Sequence, residues 1–74
     1  MTGIQLLPSH EVVNLLTAFG FTSIRQTISH NHLLHRENNR LLTIPSHPEI
    51  AMGTLLAILR KADINPEVFL KQVK

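Results

Sequence analysis

Between Arg25 and Ile44, polar and apolar residues are interleaved in short runs, and Arg36-Glu37-Asn38-Asn39-Arg40 interrupts them with the residue types that favour tight turns. That pattern demands a strand, a turn and a strand, so whatever the chain builds must contain an antiparallel hairpin at its centre. A further strand is expected just before it. Phe21 to Gln26 is rich in β-branched and aromatic residues, with Phe21, Ser23 and Arg25 alternating against Thr22, Ile24 and Gln26, and Thr27 to Ser29 supplies the bend. The middle strand, His30 to Arg36, carries three of the five histidines of the chain: His30, His32 and His35. Its period of two places His30, His32 and Leu34 on one face and Asn31, Leu33 and His35 on the other. Each face holds one leucine, so the pattern leaves open which one is buried. The third strand, Arg40 to Ile44, is closed by Pro45, which cannot donate to a ladder.

Helical signals flank this sheet. Ser9 is a good N-cap, Glu11 suits the positive end of a helix dipole, and Val12, Leu15, Leu16 and Phe19 recur at three- and four-residue steps as a core-facing stripe before Gly20 ends the helix. Ile4, Leu6 and Leu7 precede it as apolar residues available to pack. After the loop Ser46-His47-Pro48-Glu49, Thr54 is the expected cap of a second helix that buries Leu55, Ile58, Leu59 and Ala62 and keeps Arg60 and Lys61 in its last turn. Asn65-Pro66-Glu67 restarts a short helix anchored by Val68, Phe69 and Val73. The expected fold is α+β: helix, three-stranded antiparallel sheet, helix, short C-terminal helix, with the helices on one face.

At 74 residues the chain reads as one domain spanning residues 1–74, near the lower limit for a single apolar core. It contains no cysteine, which removes disulfides and thiolate zinc sites. No apolar run is long enough to span a bilayer, and MTGIQLLPSHE lacks the basic start and long apolar centre of a secretory signal, so the expected location is the cytoplasm. A formal charge of +2 is mildly basic and by itself weak evidence for a nucleic-acid partner. With no Trp, no Tyr and three Phe, a stacking platform for single-stranded bases is not expected.

Several segments, taken in order, resemble the HicA family of small toxins from bacterial toxin–antitoxin pairs. They are Leu7-Pro8-Ser9, Gly20-Phe21, Arg25-Gln26 with Ser29-His30, Thr43-Ile44-Pro45 with His47, Gly53-Thr54-Leu55 with Ile58-Leu59, and Phe69-Leu70. The resemblance covers about Leu7 to Leu70. It implies a double-stranded-RNA-binding-like fold, ribonuclease action on mRNA, and silencing by an antitoxin of the HicB type. The family's Gly-Ser-His segment, whose histidine is tied to activity, falls on Ile28-Ser29-His30. The chain departs from the family pattern at Ile28, where glycine is usual, and at His10 and Leu56, where basic residues are usual. These departures imply a bend closed without glycine and a thinner phosphate-binding surface.

Metal-independent RNA cleavage requires a group to take the 2′-hydroxyl proton, a group to protonate the leaving oxygen, and positive charge near the phosphate. Histidine suits proton transfer because its ordinary pKa of about 6.5 lies near working pH. His30 is the candidate for that role, with Ser29 orienting it or shaping the bend. Arg25, Arg36 and Arg40 flank the hairpin as candidate phosphate contacts, with solvated strand-edge charge as the simpler reading. His32 shares a face with His30 and is a further RNA-binding candidate. The pair lacks a third ligand nearby in sequence, so no metal site and no cofactor are expected. Two other functions fit the same residues: an RNA-binding module without turnover, and a protein-interaction module that pairs through a sheet edge.

Overall fold

The computed structural model describes residues 6–73, so the expectation for Ile4 lies outside the described residues. The elements are α1 (Ser9–Thr17), β1 (Phe21–Gln26), β2 (His30–His35), β3 (Arg40–Pro45), α2 (Met52–Ala62) and α3 (Pro66–Leu70). The three strands form one antiparallel sheet in the order β1-β2-β3. This is the α+β order expected, with Pro45 as the last residue of β3 and Arg36 already in the turn.

Leu33, Leu42 and Ile44 are buried on one sheet face together with Phe21, and they pack with Val12 and Leu16 of α1, Leu55, Ile58, Leu59 and Ala62 of α2, and Phe69 of α3. That settles the question the middle strand left open. The Asn31, Leu33 and His35 face turns towards the helices, and the His30, His32 and Leu34 face turns outward. The buried residues of α2 are the four read from its periodicity. In α1, Val12 and Leu16 are buried, with Leu15 and Phe19 packed against the core.

The helix caps differ from expectation. Pro8, not Ser9, is the N-cap of α1, and its carbonyl accepts from Glu11 and Val12. Ser9 is the first helical residue, and its amide, a first-turn donor with no acceptor inside the helix, donates to the His47 carbonyl of a loop at 3.0 Å. Likewise α2 starts at Met52, two residues before Thr54, with Ala51 as N-cap. An isolated bridge between Leu7 and Ile50, with the Ile50 amide 2.7 Å from the Leu7 carbonyl, holds the chain extended up to that point. The helix follows at once. Its far end is closed by Asp63 at φ 60°, where Ile64 donates back to Leu59 and Asp63 to Arg60. Asn65 caps α3 as expected, its Oδ1 accepting from the Glu67 amide at 2.8 Å.

Candidate active site

Three side chains from three strands form a row across the outer sheet face. Arg25 pairs with His32 on one side, and Thr43 pairs with it on the other. Simple alternation from Phe21 would have put Arg25 on the core face, but the register shifts between Ser23 and Arg25, leaving Ile24 as an extra residue. The bulge carries Arg25 outward. His30 lies two residues before His32 on the same face, opposite Pro45, and the two imidazole centroids are 6.4 Å apart at an interplanar angle of 37°.

The bend pins His30 from several sides. Its amide donates to Thr27 Oγ1 at 3.1 Å, and its carbonyl accepts from the Thr27 amide at 2.8 Å and the Thr27 hydroxyl at 3.2 Å. Ser29 Oγ lies 2.8 Å from His30 Nδ1, and the Ser29 carbonyl accepts from the Ser46 amide at 2.8 Å. This second bond joins the bend to the loop whose His47 carbonyl receives the start of α1. Neither Ile28 nor Ser29 has positive φ, so the bend closes in a conformation that needs no glycine. Ile28 stands fully exposed at its tip. His32 Nδ1 is 3.4 Å from Thr43 Oγ1. In both histidines, then, a hydroxyl engages Nδ1 and leaves Nε2 directed to other uses.

Residues 9–64 match the family model described as the HicA toxin of bacterial toxin–antitoxin systems. The chain belongs to the HicA toxin family. No curated protein matches it. The matched segment runs from the start of α1 to the residue after the left-handed end of α2, and so contains the whole sheet, its bend and its outer-face row. A HicA toxin is one half of a toxin–antitoxin pair, and an antitoxin is the partner that this membership implies.

In this HicA-family chain the sequence candidates divide into two groups. Arg25, Ser29, His30 and His32 come together at the bend end of the outer face. Arg36 and Arg40 do not. They belong to the turn at the other end of β2, and at about 3.3 Å per strand residue Arg36 is ~20 Å from His30. Arg40 pairs with His35 on the helix side, and its guanidinium donates to the Lys61 carbonyl at 3.0 Å. His35, on the same side, packs edge-on against Phe21 with centroids 5.0 Å apart.

Among the described residues no group of three or more His, Asp or Glu converges as a metal site, and no helix is long and apolar enough to cross a membrane. His10 and His47 are exposed near the start of α1. Leu56 is 41% exposed on the outer side of α2, in a shallow groove with Gly53, Ala57, Arg60 and Lys61.

Sequence reasoning missed Thr27 and Thr43, the residues that grip His30 and His32. Thr27 carried a usable signal, because a threonine three residues before a strand-initial histidine can bond back to that residue's amide. Thr43 carried none. Its role depends on the β2–β3 register, which the four-residue turn sets.

Proposed function

We propose that this HicA toxin is an endoribonuclease that cleaves mRNA without a metal ion, acting as a single cytoplasmic domain and silenced by an antitoxin of the HicB type. His30 transfers the proton, Ser29 orients its imidazole, and Arg25 meets the phosphate. The observation that carries this reading is the Ser29–His30 contact at 2.8 Å on an exposed bend, with Arg25 opposite the neighbouring His32 on the same sheet face. A fixed, accessible imidazole on a sheet face that also carries a cation meets the first requirements of phosphodiester cleavage. Arg36 and Arg40, at the far end of the sheet, would meet a more distant part of the same RNA, Arg40 only by giving up its bond to Lys61. An antitoxin seated over the bend excludes substrate without touching the chemistry.

The test is cleavage of a long unstructured RNA by the purified protein and by His30→Ala, with chelator present and folding checked by circular dichroism. Cutting by the wild type alone supports the proposal. If both proteins are folded and neither cuts, while RNA binding persists and weakens steeply with salt, the chain is an RNA-binding module instead.

A further inference from the structure

Phosphodiester cleavage by a 2′-hydroxyl involves two oxygens on opposite sides of one phosphorus. Each must lie within about 2.6–3.2 Å of the group that exchanges its proton. One imidazole fixed by its neighbours cannot serve both oxygens in a single step. Ser29 Oγ holds the His30 ring at Nδ1 and Thr27 holds its backbone.

We propose that His32 is the second proton-transfer group, so that His30 and His32 act as a base–acid pair straddling one phosphate. This rests on the endoribonuclease reading above and extends it. Three observations carry it. The imidazoles share the outer face with centroids 6.4 Å apart, a separation that leaves room for a phosphate reached from both sides. Each Nδ1 is engaged by a hydroxyl, Ser29 Oγ for His30 and Thr43 Oγ1 for His32, and among the described residues neither Nε2 has a protein partner. Arg25, brought outward by the bulge, pairs with His32 and supplies the charge for the non-bridging oxygens.

The hydroxyl partners suit this task. A hydroxyl accepts from Nδ1–H both when the ring is neutral with Nε2 bare and when the ring is the imidazolium, so proton uptake and release at Nε2 require no rotation of the ring. In the reaction one bare Nε2 takes the proton of the 2′-hydroxyl as that oxygen forms its bond to phosphorus. The bond from phosphorus to the 5′-oxygen breaks, and that oxygen receives the proton held on the other Nε2. The products are a 2′,3′-cyclic phosphate and a free 5′-hydroxyl. Solvent then exchanges the protons and resets the pair.

The experiment compares wild type, His30→Ala, His32→Ala and His32→Gln, the last retaining a polar group for Thr43. All are checked for folding and assayed on an ordinary RNA and on the same RNA with sulfur replacing the 5′-oxygen at the cut bond, since a thiolate leaves without being protonated. The expected result is a loss of about 100-fold or more for both His32 variants on ordinary RNA. On the sulfur substrate, substitution of one histidine is restored towards the wild-type rate and substitution of the other is not, which identifies the acid. His32 variants cutting within about threefold of wild type, with His30→Ala inactive, would overturn the pair and leave the endoribonuclease reading standing. Restoration of both histidines' variants, or of neither, also overturns it. A wild type that does not cut, or a His30→Ala that cuts normally, removes the underlying reading and the pair with it.

Discussion

The guanidinium of Arg40 donates to the carbonyl oxygen of Lys61 at 3.0 Å, so a strand residue closes the last turn of the helix packed behind it. The final carbonyls of a helix have no partner within it, and Arg40 supplies one from outside, next to the left-handed Asp63. Replacing Arg40 with Ala is expected to destabilise the fold by about 0.5–1.5 kcal/mol, the usual net worth of such a bond. RNA cleavage per folded molecule should stay near wild type. Urea denaturation together with the cleavage assay checks both, and a large loss of cleavage at unchanged stability would mean that contact of Arg40 with the RNA outweighs its bond to Lys61.

Ser29 is expected to act through His30 and not on substrate. Ser29→Ala removes the hydroxyl at Nδ1 and should lower cleavage by about fivefold, in proportion to one neutral hydrogen bond of ~1 kcal/mol, with little effect on stability. Ser29→Thr keeps the hydroxyl and should retain most of the rate. Equal losses in the two variants would show that the hydroxyl is not what matters.

Gly20 sits at φ +96°, and a Cβ there would lie 2.6 Å from His35 Nε2. Gly20→Ala therefore has two costs, a left-handed backbone and a clash, together about 2–3 kcal/mol by thermal or urea unfolding. Combining it with His35→Ala should relieve the clash and leave the backbone cost. The double variant is thus predicted to be more stable than the two separate effects sum to, a coupling that a double-mutant cycle reads directly.

The two sheet faces should respond oppositely to truncation. Leu33 is 0% exposed among the helices, whereas Leu41, on the neighbouring strand, is 54% exposed on the outer face. Leu33→Ala is expected to cost about 2–5 kcal/mol, and Leu41→Ala no more than about 0.5 kcal/mol. Comparable losses at both sites would mean that the outer face is covered.

Much of the fold could be read from local pattern. β1 has the limits that composition suggested, the turn before Arg40 lies where Asn38 and Asn39 placed it, and the buried side of α2 follows its period, because each of these depends on residues close together in the chain. The features that escaped depend on partners far away in sequence. Ser9 became the first helical residue, its amide held by a distant carbonyl at His47, and the start of α2 was set by a bridge to Leu7. Arg25 changed faces because of one extra residue in β1. The candidate site was legible in the same uneven way. Ser29, His30 and His32 were visible as a cluster on one strand and its bend, but the separation of Arg36 and Arg40 from them became apparent only once β2 had a length and a direction.

The backbone bonds from Leu7 to Ile50, Ser9 to His47 and Ser46 to Ser29 form a relay from the first described residues to the bend that bears His30. The Leu7–Ser9 segment is therefore a brace for the candidate catalytic histidine. A toxin shortened past Leu7, or fused so that Leu7 to Ser9 is under tension, would let the loop drift and release Ser29. Attenuation obtained in that way would reflect a misplaced histidine, and an antitoxin that gripped the same N-terminal stretch would have a route to inhibition that leaves the outer face open.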